Sequence, residues 1–192
     1  NEGLKCCKNE AVARMDSDDI ACKDRCEKQL RVLEEGIDIV SGTVVEFEKD
    51  VLHCKAKRTL PLSKEEILKF AGRRNPFNHP CVMYRKEAVE KAGGYQHFYL
   101  FEDYYLWARM LLLGVEARNL PDTLLYMRAG TGMYKRRGGW KYVKSMLHFR
   151  LFLWKSGLSS FLDFVVCAGG QMMICLIPNR LRELFYKKFL RK

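Results

Sequence analysis

Asp16, Asp18 and Asp19 cluster around Ser17, directly after a short run, Ala11–Met15, that reads as a strand. In an extended segment residues i and i+2 point to one side, so Asp16 and Asp18 can face one site together. Two carboxylates there suit a hard divalent cation, Mg2+ or Mn2+, which prefers oxygen ligands and keeps phosphate oxygens in its shell. Taken alone, the same cluster reads sooner as a polar turn in which Asp18 or Asp19 caps the next helix. A calcium hand is excluded, because Ile20 occupies a ligand position and no loop glycine follows. A second acidic pair, Glu102-Asp103, stands at the start of an apolar-periodic segment. A carboxylate there either caps the helix or serves as a general base.

The elements that must position these groups alternate between two periods. Residues 2–10 read as the end of a helix. The stretch 20–35 is expected to be helical, with Cys22, Cys26, Leu30 and Leu33 on its buried stripe and Gly36 as its stop. β-Branched residues in 37–47 predict a strand with an irregularity at Gly42. Ser63-Lys64-Glu65-Glu66 fits a capping box opening a helix through Phe70. A proline-bearing loop over 73–80 leads to a short strand at 81–84 and a helix over 85–92, closed by Gly93-Gly94. A strong helix spans 102–113, with Leu106 and Trp107 expected in the core beside Met110 and Leu111. Residues 115–119 and 124–127 read as two strands around Pro121, and the remainder as helices broken at Gly157 and Pro178. Strands alternating with helices predict an α/β sheet followed by a C-terminal helical region.

Four blocks carry a resemblance to a known family, in that family's order. Ala13-Arg14-Met15-Asp16-Ser17-Asp18-Asp19 resembles the D-x-D segment of family 2 glycosyltransferases. Asn75-Pro76-Phe77-Asn78-His79-Pro80, with Ala92-Gly93-Gly94-Tyr95, is similar to the acceptor-side loop and following helix. Phe101 to Arg109 resembles the E-D motif and its helix, and Leu125-Tyr126-Met127-Arg128 the late strand ending in Y-R. The stretch Met133–Gly139 is similar to the bacterial polysaccharide-assembly branch.

The resemblance implies a GT-A-like mixed sheet with flanking helices, occupying residues 1–135, and basic amphipathic helices over 136–192. It further implies inverting transfer of a sugar from a nucleotide-sugar donor to a saccharide or lipid-linked acceptor in cell-surface polysaccharide synthesis. Asp18 would coordinate the metal bridging the donor diphosphate, and Asp16 would assist it or hold the ribose. Asp103 would be the general base, with Glu102 beside it; Arg128 would contact the diphosphate; Asn78 and His79 would line the acceptor side. Inverting transfer needs a base opposite the leaving group and a cation near it, roles that Asp103 and Asp18 meet. The family's nucleotide-cradling strand–helix–strand precedes the D-x-D, so the resemblance also implies that this stretch lacks that N-terminal segment and binds donor poorly by itself.

The net charge of +11 is concentrated at one end: residues 123–192 hold 14 Lys or Arg against Asp163 and Glu183, giving +12, and residues 1–122 give −1. That asymmetry points to an anionic partner. Residues 164–177 are apolar but shorter than the roughly 20 residues needed to span a bilayer. Residues 179–192 form a basic amphipathic pattern suited to an anionic membrane interface or to docking on the protein's own core. The expected location is cytoplasmic, peripheral on the inner face of the plasma membrane. Nucleic acid is disfavoured, because the aromatics follow a helical stripe rather than a stacking platform. The cysteine spacing lacks zinc patterns and reads as reduced thiols. Two rival readings are a Mg2+-dependent phosphoryl-transfer enzyme, which Asp19-Ile20 fits poorly, and a non-catalytic membrane-binding fragment.

Overall fold

The computed structural model describes residues 1–48, 50–52, 54–129 and 139–176, with the side chains of residues 55 and 176 outside the description. Most of the Met133–Gly139 stretch, the break at Pro178 and the basic pattern of 179–192 therefore lie outside the described residues.

A mixed sheet forms the centre. Its path runs β1 (Ala11–Ala13), β5 (Met83–Arg85), β3 (Ile39–Phe47), β6 (Ala117–Arg128) and β2 (Ile20–Ala21), with β4 (Cys54–Arg58) also paired to β3. β3 and β6 run parallel, and the other pairs are antiparallel. β3 is buried along nearly its whole length, as a central strand covered on both faces must be. β4, read from no sequence signal, carries Lys57 and Arg58, the kind of charge that blunts an edge.

Residues 117–128 form one strand rather than the expected two. Gly42 pairs with Leu120 and Thr43 with Thr123, so Pro121 and Asp122 bulge out of the ladder. Proline has no N–H to give the ladder, and a bulge is where a strand tolerates it. The Thr43 hydroxyl donates to the freed Pro121 carbonyl at 3.1 Å. Gly42 marks the irregularity because a Cβ there would lie 2.5 Å from Leu124 Cδ1.

The first predicted helix differs more. Residues 20–21 pair with Tyr126 and Leu125 as β2, and the helix, α2, spans Arg25–Glu34. Its buried face is Arg25, Gln29, Val32 and Leu33, while Cys26 and Leu30 are exposed. The reason is polar. Gln29 Nε2 donates to the carbonyls of Val40 and Cys81, and Arg25 donates to those of Arg14 and Val82 and to Gln29 Oε1. Carbonyls buried beneath a helix need donors, and here two polar side chains outrank the apolar stripe.

The helix expected over 2–10 ends four residues early, and the later helices follow the sequence reading within a residue or two. α1 is short, Glu2–Cys6. α3 (Lys64–Ala71) opens on the complete Ser63/Glu66 capping box. A 3-10 turn at His79–Cys81 leads into β5, and α4 spans Lys86–Lys91. α5 (Glu102–Leu112) sends Leu106, Trp107, Met110 and Leu111 into the main core with Ile67, Phe77, Tyr84 and Val89. Its opposite side, through Tyr104 and Ala108, packs on Tyr142, Met146, Phe149 and Leu153 of α6 (Trp140–Lys155). α7 (Phe161–Leu176) folds back on α6 after a turn at Gly157, whose φ is 81°.

Candidate active site

The acidic loop is a turn rather than an extended segment. The Asp19 N–H donates to the Asp16 carbonyl at 3.3 Å, which ends the strand-like alternation that would aim Asp16 and Asp18 together. Both oxygens of Asp16 instead accept from the Arg14 guanidinium, at 2.6 and 2.9 Å. Arg14 and Asp16 are the i, i+2 pair that shares a side. Asp18 is exposed, and Asp19 is buried.

Asp19 and Arg128 join this loop to the end of β6. Asp19 Oδ1 accepts the Arg128 backbone N–H at 2.8 Å. The Arg128 guanidinium donates to the Asp18 and Glu48 carbonyls and lies 4.6 Å from the centre of the Phe47 ring. Asp19 Oδ2 is buried with no hydrogen-bond partner. Burial raises the Asp19 carboxyl above its ordinary range, helped by Asp16 and Asp18 and opposed by the Arg128 N–H and Arg14.

Asp103 occupies the first turn of α5, where the helix dipole favours negative charge. It is not the N-cap, which is Phe101. Asn75 Nδ2 donates to Asp103 Oδ2 at 2.9 Å, while Asn75 Oδ1 accepts the Phe77 N–H at 3.2 Å. Asn75 thus fixes its own amide against its loop and turns the NH2 toward the carboxylate. Glu102 Oε1 accepts the Leu100 N–H at 3.3 Å, and Leu100 has a φ of 62°, a costly conformation for a branched side chain. Glu102 therefore ties down the strained turn that delivers Asp103.

His79 sits beside Tyr95 and Trp107 and feels charge from both acidic signatures. Its Nε2 is 3.1 Å from Tyr95 Oη, and its ring packs near Trp107, which is fully buried. Burial lowers the imidazole below the ordinary histidine range; Asp103 and Asp16 pull it up, and Arg14 pushes it down. The Tyr95 phenol is raised by burial and feels Arg14 and Asp103 as well. Arg14, Asp16, His79, Tyr95 and Asp103 therefore share one electrostatic neighbourhood.

Asn78 is placed differently from its neighbour. It is 1% exposed, and its Nδ2 donates to the Gly42 and Arg58 carbonyls. It holds the 75–80 loop onto β3 and β4. The residues that reading by motif passed over are Arg14, Asn75 and Tyr95. Each sits inside a quoted block; Asn75 and Tyr95 gain a role only from partners distant in sequence, and Arg14 from Asp16 two residues on.

Among the described residues no three His, Cys, Asp or Glu side chains converge as a metal cage. The donors on the loop are hard carboxylate oxygens, with one Asp19 oxygen buried and unpartnered beside them. That set fits an open Mg2+ or Mn2+ site whose remaining positions are taken by phosphate oxygens and water.

The mixed sheet with flanking helices, an acidic loop after β1 and a carboxylate in the first turn of α5 is the GT-A glycosyltransferase architecture. The chain belongs to glycosyl transferase family 2, whose pattern it matches over residues 1–93. It is 40% identical to the amylovoran biosynthesis glycosyltransferase AmsE of Erwinia amylovora over 195 residues, covering 98% of this chain and 71% of that protein. It is 35% identical to the UDP-Gal:alpha-D-GlcNAc-diphosphoundecaprenol beta-1,3-galactosyltransferase of Escherichia coli, covering 100% of this chain and 70% of that one. Among solved structures, the mannosyltransferase PcManGT of Pyrobaculum calidifontis, in complex with GDP-Man and Mn2+, shares the fold. Its TM-score is 0.53 at 15% identity, over 94% of this chain and 49% of that one. TarS of S. aureus, residues 1-349, gives 0.50 at 18% identity, over 98% of this chain and 65% of that one. The chain is thus a glycosyltransferase of family 2, and it spans about half the length of the mannosyltransferase whose fold it shares.

Proposed function

We propose that this chain moves a sugar from a nucleotide-diphosphate donor to a hydroxyl of a saccharide or lipid-linked acceptor, with inversion, in cell-surface polysaccharide synthesis. One arrangement carries the reading: Asp103 opens α5 with one carboxylate oxygen fixed by Asn75, and His79, four residues on in the same loop, has its ring beside Tyr95 and beside Trp107 of that helix. In-line transfer needs a base beside the acceptor hydroxyl and a charge-neutralising loop beside the departing diphosphate, and in this reading the 75–80 loop borders the acceptor side.

In this reading Asp103 takes the proton of the acceptor hydroxyl as its oxygen attacks the anomeric carbon. Asn75 occupies Asp103 Oδ2 and leaves Oδ1 to face the acceptor. Glu102 holds the turn before the base, and neutral His79 offers the acceptor a hydrogen-bonding ring edge. Asn78 supports the acceptor loop from beneath. Asp18 would hold Mg2+ or Mn2+, which would neutralise charge on the departing diphosphate, while Asp16, engaged by Arg14, would stand beside it. Arg128, hydrogen-bonded to the Asp18 carbonyl, would add a donor to the same diphosphate. The galactosyltransferase relative is named for a UDP-sugar donor and a diphosphoundecaprenol-linked acceptor, which supports both substrate classes. A lipid-linked acceptor also favours peripheral attachment at the cytoplasmic membrane face through the basic 179–192 segment. Among the described residues no helix is long and apolar enough to cross a membrane.

The test is Asp103→Asn and Asp18→Asn in the full-length protein, assayed for nucleoside diphosphate release over a panel of UDP- and GDP-sugars with Mn2+. Each should lose about a hundredfold or more in kcat, with melting temperature retained. Transfer within a few-fold of wild type in Asp103→Asn would sink the assignment.

A further inference from the structure

The two C-terminal helices present an outer surface unlike that of a water-facing hairpin. α7 packs on the core cluster through Met172 and Cys175, and Gln171 accepts from Arg150 of α6 at 2.8 Å. Its opposite face is formed by Leu162, Val165, Val166, Gly169 and Met173, spaced as one stripe. Leu162 is 71% exposed, Val166 62% and Met173 69%, and no charged side chain interrupts the stripe. The single acidic residue of α7, Asp163, is taken by Arg73 at 2.7 Å. A surface helix normally turns such residues inward; this one keeps them on the outside.

The exposed stripe of α6 is basic. Lys141, Lys144, His148 and Lys155 are exposed at helical spacing, and α6 contains no acidic residue. Aromatic rings flank both stripes. Trp140 is 78% exposed at one end of α6. At the hairpin turn Trp154 stacks on Phe164 at 5.6 Å and lies 5.3 Å from Phe161, joining the two helices. Exposed apolar side chains, lysines and tryptophans together match the layered chemistry of a bilayer interface: acyl chains, anionic headgroups and the aromatic belt between them. The 16 described residues of α7 reach about 24 Å, and among the described residues no helix is long and apolar enough to cross a membrane.

We propose that the outer face of the α6–α7 hairpin docks on an anionic phospholipid surface, with α7 lying in the interface and the α6 lysines on the headgroups. The proposal rests on the lipid-linked acceptor reading only for its biological reason. α6 also touches the catalytic end of the fold: Ser145 Oγ donates to the Tyr99 carbonyl at 2.8 Å, and Lys141 lies 4.2 Å from the Tyr99 ring centre. Tyr99 precedes the strained Leu100 and the Glu102-Asp103 pair, so docking would set the base at a fixed height above the membrane.

The experiment is co-sedimentation of the intact chain with phosphatidylcholine vesicles, with and without phosphatidylglycerol. Binding should require phosphatidylglycerol. Val166→Asp with Met173→Asp, both at exposed sites, should weaken it by about tenfold or more without lowering the melting temperature. Hydrogen exchange on the unmutated chain should show added protection in 161–173 when vesicles are present, a readout independent of any variant's folding. Wild-type binding by the double aspartate variant would overturn the proposal, as would vesicle protection confined to 179–192. A lipid-free dimer broken by the variant, with vesicle binding intact, would instead assign the face to a second copy. Equal binding to phosphatidylcholine alone would overturn the anionic assignment. The inactive Asp103→Asn chain should bind vesicles as wild type does, which separates this proposal from the catalytic one.

Discussion

Asn75 offers the sharpest test of how the base is held. Its side chain has two jobs at two ends: Oδ1 accepts from the Phe77 N–H, and Nδ2 donates to Asp103 Oδ2. Asn75→Ala deletes both. A hydrogen bond to a charged carboxylate contributes about 1.5–3 kcal/mol, so kcat should fall about 10- to 100-fold if the bond orients Asp103 in the transition state. Asn75→Asp keeps the acceptor for Phe77 but sets a carboxylate where the donor stood, 2.9 Å from Asp103 Oδ2. Both residues are partly exposed, so an effective dielectric between that of a protein surface and water applies, and the repulsion adds about 1–4 kcal/mol. The expected order is therefore wild type, then Ala, then Asp. Initial rates of nucleoside diphosphate release in the full-length protein measure it, with melting curves to show that each variant is folded. An Asp variant as active as the Ala variant, or more so, would refute the reasoning, because it would leave Asn75 with only its loop-holding role.

Three further outcomes follow from the packing. Arg25→Met strands the Arg14 and Val82 carbonyls and Gln29 Oε1 in a buried region, and should cost about 3 kcal/mol or more in urea unfolding; a loss below about 1 kcal/mol would show those groups find other partners. Gly72→Ala sets a Cβ 2.4 Å from the Leu158 carbonyl oxygen, a backbone atom that cannot swing aside, and should lower stability by about 1–3 kcal/mol, read as a fall in melting temperature. Burial keeps His79 neutral in the folded chain below the ordinary histidine range, so the unfolded chain protonates first as pH falls. The stability present above about pH 6.5 is then lost on acidification through the folded-state value, and His79→Gln should flatten that part of the urea-midpoint profile between about pH 7.5 and about pH 5.5.

Local chemistry was legible wherever neighbours in sequence are neighbours in space. The Ser63 capping box forms with both of its hydrogen bonds, because all its atoms lie within one turn. The stripe of α5 is right, and Leu106 and Trp107 are fully buried, since an apolar period of 3.6 states which face a helix turns inward. Gly42 was readable as an irregularity, but its cause, Leu124 on the partner strand, was not.

The buried face of α2 was misread because hydrophobicity ranks side chains against water, whereas Arg25 and Gln29 are buried by the unmet carbonyls of Arg14, Val40, Cys81 and Val82. Pro121 looked like a break because its missing N–H is local, while the Thr43 hydroxyl that receives its carbonyl is not.

The acidic signatures divide in the same way. The residue types of Asp16, Asp18 and Asp103 named the chemistry, since few side chains can bind a hard cation or take a hydroxyl proton, and the order of the four blocks named the family. Tertiary structure decided which oxygen is free. It folded 16–19 into a turn, gave Asp16 to Arg14 and Asp19 to the backbone of Arg128, and left Asp18 exposed. It also set Asn75 against one oxygen of Asp103. A sequence lists which groups can ionise; the partners that each one meets are set only when distant segments close around it, because hydrogen bonds act over a few ångströms and not along the chain.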